Sequence, residues 1–331
     1  MKRILDLSGF VYSGKSAVSD ILREVDGFCV PPSEQEFDLL RIPGGLVDLK
    51  HAALDWSPVR SDAAFHRFER VARVAGRVLP LHRKFFENNL AYQARYPDYF
   101  AVLERFLRDI VLLRWNTPWP YTMFTDNPWQ IFLRKVSGRF GVIKLRDLCL
   151  IDAENFLQRA REFTNGLLWS AVDAARFHTV VVHNSLEAFD PARNLDLYGN
   201  AKCIVVDRDP RDIYATALVI APGQPDRLNR YLNICAGHDV GLFIRRFNLH
   251  RSNVRESPDV LRLHFEDLVR DYDRSVQSII GFLGVEPAAH VRRMQCFDPG
   301  KSGRNVGMWK QERFRKYWKD CELIGSKCNV V

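Results

Sequence analysis

Gly9-Phe10-Val11-Tyr12-Ser13-Gly14-Lys15-Ser16 fits the pattern G-x-x-x-x-G-K-[ST]. The stretch before it, residues 3–8, is short and mostly apolar, and it predicts a buried strand. The stretch after it carries Val18, Ile21, Leu22 and Val25 at i, i+3, i+4 and i+7, the spacing of one helix face. Gly27 ends that helix, and residues 28–30 predict a second strand. A glycine-rich loop between a strand and a helix is the context in which this pattern binds phosphate. Glycines let backbone N–H groups turn inward, the helix N-terminus adds partial positive charge, and Lys15 adds a full one. Ser16 can offer its hydroxyl to phosphate or to Mg²⁺.

Further along, Thr179-Val180-Val181-Val182 and Cys203-Ile204-Val205-Val206 predict two more strands, and residues 260–264 a fifth. Residues 152–178 predict a helix. So do residues 273–283, with Val276, Ile279, Ile280 and Leu283 on one face and Gly284 as its C-terminal cap. Short β-branched strands alternating with helices predict an α/β fold, a P-loop NTPase-like parallel sheet flanked by helices. Residues 60–115 read as amphipathic helix, and 116–129, with Pro118, Pro120 and Pro128, as loop. The expectation is one domain over 1–331, with 60–178 a mainly helical insertion on the acceptor side.

Hydrophobic residues make up 47% of the 331, charged residues 27%, and the formal charge is +8. That excess suits an anionic ligand or surface without naming one. Zinc-finger spacing, an RNP-like aromatic motif and a long Lys/Arg block are all missing, so nucleic acid is not the expected partner. The seven cysteines are odd in number, with no CxxC pair, which reads as reduced thiols in the cytoplasm. No segment approaches the ~18 apolar residues of a membrane span, and Asp6 interrupts any apolar leader at the N-terminus. Peripheral membrane contact stays open.

The fourth strand runs into Asp207-Arg208-Asp209-Pro210-Arg211-Asp212-Ile213-Tyr214-Ala215-Thr216. Arg208 ends a strand on the side of the sheet where open α/β folds bind ligands, placed to grip a second phosphate. This segment resembles the 3'-phosphate-binding motif of the PAPS-dependent sulfotransferases, in which a strand-ending Arg and a hydroxyl residue eight positions later share that phosphate. Lys301-Ser302-Gly303-Arg304-Asn305-Val306-Gly307-Met308-Trp309-Lys310 resembles the family's late glycine-basic loop. Leu263-His264-Phe265-Glu266-Asp267-Leu268 resembles its strand-to-helix segment. The first loop departs from the family, whose common form ends Ser-Gly-Thr where this chain has Gly14-Lys15-Ser16.

The resemblance implies transfer of a sulfuryl group from PAPS to an acceptor hydroxyl, of a carbohydrate or glycolipid, with no metal required. It implies that Ser13, Gly14, Lys15, Ser16 and Ala17 hold the 5'-phosphate, that Arg208 and Thr216 hold the 3'-phosphate, and that Arg304 closes over it. Lys15 stabilises the leaving oxygen, and His183, at the end of the third strand, is the expected base, with Glu36 and Asp38 as weaker candidates. Two other readings stand beside this one. In an ATP-dependent kinase or NTPase, Asp207 would end a Walker B strand and hold Mg²⁺. In a non-catalytic module, the nucleotide would bind without reacting.

Overall fold

The computed structural model describes residues 2–32, 35–55, 57–78, 90–119, 121, 126–141, 145–220 and 239–328. Pro120, Cys235 and residues 79–89 of the expected helical run lie outside the described residues. The chain forms two compact units, one of residues 1–41 and 171–331, the other of residues 42–170.

The first unit opens with β1 (Arg3–Gly9), α1 (Ser16–Arg23) and β2 (Phe28–Cys29). The second unit follows with α2 (Leu46–Leu54), α3 (Pro58–Gly76), α4 (Tyr92–Arg95), α5 (Tyr99–Asp109), β3 (Val111–Pro118), α6 (Pro128–Arg139), β4 (Leu145–Ile151) and α7 (Phe156–Ser170). The chain then returns to the first unit. There it adds β5 (Thr179–His183), β6 (Ala201–Asp207), α8 (Pro210–Ile220), α9 (Val240–Ser252) and β7 (Val260–His264). It closes with α10 (Phe265–Arg270), α11 (Tyr272–Leu283), α12 (Pro299–Ser302) and α13 (Trp318–Lys327).

β2, β5, β1, β6 and β7 form one parallel sheet in that order. Residues 4 to 8 are wholly buried, which explains why β1 reads as a continuous run rather than an alternating one. Leu5 and Leu7 pack with Val18, Ile21 and Leu22 of α1, with Ile204 and Val206 of β6, and with Ile279 and Ile280 of α11. Each such side chain contributes roughly 1.5–3 kcal/mol when fully buried. On the opposite face, the Asp6 carboxylate accepts from Ser185 N (3.0 Å), Ser185 Oγ (2.6 Å) and the Ser8 hydroxyl, so this buried acid is fully bonded. The register pairs Leu7 with His183, Gly9 with Val206, and Asp207 with His264. The C-terminal ends of β1, β6 and β7 are therefore nearly level, β5 ends opposite Leu7, and β1 is flanked by β5 on one side and β6 on the other. In parallel sheets this edge is where ligands bind.

In the second unit, Phe68 of α3, Phe106 of α5 and Phe163 of α7 form an aromatic core, with Phe106 and Phe163 stacked at 4.5 Å. β3 and β4 form an antiparallel pair. This corrects the expectation of helix up to 115 and loop from 116. The run Val111-Leu112-Leu113-Arg114-Trp115 is a strand, and five consecutive residues of it, 112 to 116, are exposed. A strand with no buried face leaves no two-residue alternation to read, and a short apolar run is ambiguous between helix and strand. Pro118 ends the strand, where its missing N–H disturbs no ladder. α6 begins at Pro128, behind an Asn127 cap. The helix expected over 152–178 spans Phe156–Ser170.

Candidate active site

The turn after β1 is tight, and the glycines account for it. A side chain on Gly9 would collide with Ser13 Oγ and come within 2.8 Å of Val206 O. Gly14 has φ +87°, and a Cβ there would lie 2.6 Å from the Phe265 ring. Ser13 N donates to Phe10 O (3.0 Å), and Ala17 N to Gly14 O (3.0 Å), so these two amides are spent within the turn. Ala17 itself belongs to the core under α1, while Ser16 is exposed at the start of the helix. α1 has no side-chain cap and no acidic residue in its first turn. The positive end of its dipole is therefore not neutralised locally, which favours an anion there. Ser13 Oγ is buried without a partner among the described residues.

Lys15 Nζ lies 3.4 Å from Glu36 Oε1. Glu36 also accepts from Arg41 Nη2 (3.2 Å) and from the side-chain amide of Asn184. Asn184 follows β5 directly and adopts φ +49°. His183, the last residue of β5, ties the same segment down twice. Its carbonyl accepts from Phe37 N (3.1 Å), and its Nε2 lies 3.4 Å from Pro31 O. The His183 ring is fully buried, and that burial pulls its pKa down to about 4. Its Nδ1 has no partner among the described residues. Asp38 pairs with Arg41 at 3.0 Å, one step removed from Lys15.

Arg208 is 7% exposed at the end of β6. Its Nη1 donates to Tyr12 O of the phosphate loop (3.0 Å) and to Thr216 Oγ1 (3.1 Å). Its Nη2 donates to Asn305 O (2.7 Å), and its guanidinium lies 5.0 Å from the Phe265 ring centroid. Burial lowers its pKa from that of an ordinary arginine, against the pull of Asp212, Glu266 and Asp209. Its Nε, like Ser13 Oγ, is buried without a partner among the described residues. Pro210 starts α8, so Thr216 falls in the second turn of the helix, and its hydroxyl back-bonds to Asp212 O (2.7 Å). The structure thus joins Arg208 to Thr216, to the phosphate loop and to the 301–310 loop. Arg304 is exposed, and it is the neighbouring Asn305 O that brings its loop to Arg208.

Two acids with no assigned role in the sequence reading hold this arrangement. Asp212 is wholly buried and accepts from Gly307 N (2.7 Å) and Trp309 N (3.1 Å), fastening the late loop to α8. Burial raises its pKa, opposed by those two hydrogen bonds and by Arg208. Gly307 has φ +66°, which is why glycine stands there. Glu266 accepts from Asp209 N (3.0 Å) and so fixes the turn after Arg208. Asp207, the residue a Walker B reading needs, is paired with Arg251 (2.7 Å) and faces Arg262 (3.8 Å).

No protein-family model matches the chain, and no curated protein matches it. Among solved structures, the sulfotransferase domain of the Synechococcus PCC 7002 olefin synthase is similar over 98% of this chain and 94% of its own, at 14% identity and TM-score 0.37. Retinol dehydratase in a complex with retinol and PAP is similar over 99% and 82%, at 12% identity and TM-score 0.37. A sulfotransferase from Mycobacterium avium is similar over 98% and 75%, at 12% identity and TM-score 0.37. Over nearly its whole length, the chain is similar to solved sulfotransferases.

Proposed function

We propose that this chain is a PAPS-dependent sulfotransferase. The observation that carries the reading is the joint placement of Arg208 and Thr216 beside the phosphate loop, with Nη1 of Arg208 bridging Tyr12 O and Thr216 Oγ1. A nucleoside 5'-phosphate needs one anion site, and a 3',5'-bisphosphate needs two. Ser13 Oγ and Arg208 Nε, buried with no partner among the described residues, offer donors for one each.

PAPS would supply an activated sulfuryl group, whose bond to the 5'-phosphate oxygen breaks as a bond to the acceptor oxygen forms. Ser13, Gly14, Ser16 and the start of α1 would hold the 5'-phosphate. Arg208 and Thr216 would hold the 3'-phosphate, with Arg304 over it. Lys15 would stabilise negative charge on the departing bridging oxygen. The acceptor proton goes to a base, and the geometry favours Glu36 over His183. Glu36 is a part-exposed carboxylate beside Lys15, whereas the His183 ring is sealed from solvent and weakened as a base by burial. His183 is then a positioning residue for the segment carrying Glu36. The acceptor is an alcohol, and a carbohydrate or glycolipid hydroxyl satisfies this chemistry. The free thiols among the described cysteines suit a reducing compartment such as the cytoplasm.

The kinase reading is the weaker one, because two arginines face the Asp207 carboxylate where it would need a cation of its own. The test is transfer of ³⁵S from labelled PAPS to a panel of alcohols and glycans in EDTA. Transfer in EDTA is expected. Transfer only with added Mg²⁺, or phosphoryl transfer from ATP, supports the kinase instead.

A further inference from the structure

We infer that α6 is a membrane-surface anchor that lies on anionic phospholipid. The helix is built with care at its start. Asn127 Oδ1 accepts from Gln130 N (2.9 Å), Gln130 Oε1 accepts from Asn127 N (3.0 Å), and Pro128 occupies the first turn. Yet none of its 12 residues is buried. Isolated helices of about this length are marginal in water, and most draw their stability from packing an apolar face.

That face is present and, among the described residues, uncovered. Trp129 is 66% exposed, Phe132 54%, Leu133 49%, Val136 40% and the following Phe140 79%. Their spacing of i, i+3, i+4, i+7 and i+11 puts them in one stripe. Trp129 and Phe132 stack at 5.5 Å. Between residues 127 and 141 the charged residues are Arg134, Lys135 and Arg139, with no acid. Arg134 pairs with Asp126, just before the helix, while Lys135 and Arg139 are exposed.

Aromatic and aliphatic residues along one stripe, with basic side chains and no acids, suit the boundary between acyl chains and anionic headgroups. A second copy of the chain fits less well. A two-fold contact through this face would set the basic Lys135–Arg139 edge of one helix against the same basic face of the other, with no carboxylate of the helix to offset it. The helix is not long and apolar enough to cross a bilayer, so it lies along the surface. This inference does not depend on the proposed transferase activity.

Vesicle flotation of the full chain tests it, using phosphatidylcholine alone and phosphatidylcholine with about 30% phosphatidylserine, an anionic surface of the kind such segments bind. Capture by the anionic vesicles is expected, weakening as salt is raised. Trp129→Ser with Phe132→Ser, and separately Lys135→Glu with Arg139→Glu, should each lower capture by at least about tenfold. Far-UV circular dichroism and melting temperature should stay near wild type, since these side chains are exposed. No capture of the wild-type chain overturns the inference, as does equal capture of both variants. A wild-type dimer that the Trp129→Ser, Phe132→Ser variant dissociates, with no vesicle capture, assigns the face to a second copy and overturns it as well.

Discussion

Arg208 Nη1 lies 3.1 Å from Thr216 Oγ1, although one residue ends a strand and the other stands in the following helix. The pair sits against the phosphate loop through Tyr12 O. Arg208→Ala should weaken binding of adenosine 3',5'-bisphosphate by about 1.5–3 kcal/mol, the range for a charge-assisted hydrogen bond. Arg208→Lys should recover only part, because an ammonium cannot form the planar fork. Thr216→Val should cost less, about 0.5–1.5 kcal/mol. Calorimetric titration measures all three, with circular dichroism as the folding control. Unchanged affinity in a folded Arg208→Ala variant removes the second anion site.

The roles proposed for Glu36 and His183 can be separated by experiment. Glu36→Gln keeps the shape of the side chain but cannot take a proton. Its kcat should fall by roughly 10²-fold or more, the usual size of general-base effects, while nucleotide affinity stays near wild type. His183→Gln can still offer an amide N–H toward Pro31 O, so turnover per folded molecule should remain well above that of Glu36→Gln. The reverse order would return the base to His183.

Burial also sets an acid sensitivity. His183 titrates at about 4 in the folded chain, below the ordinary value of 6.5, so the folded state binds fewer protons than the unfolded state between those values. Its stabilising contribution is present above pH 6.5 and is lost as pH falls through about 4. His250, pulled down to about 4 by burial beside Asp207, acts in the same direction. Asp6, raised by burial, acts in the opposite one. The drop in melting temperature from pH 7 to pH 4.5 should therefore be smaller in His183→Gln than in wild type. An equal drop would show that His183 is not held neutral by the fold.

The late loop should depend on Asp212. Replacing it by Ala strands the Gly307 and Trp309 amides, and since both are part-buried the loss should lie below the about 1–3 kcal/mol of a fully buried unsatisfied donor for each. Asp212→Asn keeps one acceptor oxygen and should be milder in both stability and nucleotide affinity. Chemical denaturation and calorimetric titration, run on the two variants, check this. Wild-type affinity in both would show that the loop does not help to hold the nucleotide.

The strand, loop and helix around Gly9 to Ser16 were legible because close approach leaves room only for glycine at positions 9 and 14. The contact between Arg208 and Thr216 was legible because the two lie near one another along the chain, at a strand end and in the helix that follows. Asp212 was not. Its partners are 95 and 97 residues away, and nothing in a lone buried acid says which loop it will hold. The surroundings of Glu36 and His183 were hidden for a related reason. A histidine ending a parallel strand looks placed for catalysis, but only the fold reveals that the ring is sealed beneath Pro31 while the carboxylate stands beside Lys15. In residues 42–170, β3 and α6 both lack a buried face, so the periodicity that marks an element had little to act on.

The most direct test of a paired phosphate site is thermal unfolding with adenosine 3',5'-bisphosphate, AMP and ATP plus Mg²⁺, each in turn. At about 100 times its Kd, a ligand bound only by the folded chain adds roughly 2.7 kcal/mol of stability. Melting temperature should rise clearly with adenosine 3',5'-bisphosphate and, at the same concentration, much less with AMP, which lacks the phosphate that Arg208 and Thr216 would grip. Equal shifts with AMP, or a larger shift with ATP plus Mg²⁺, would contradict it.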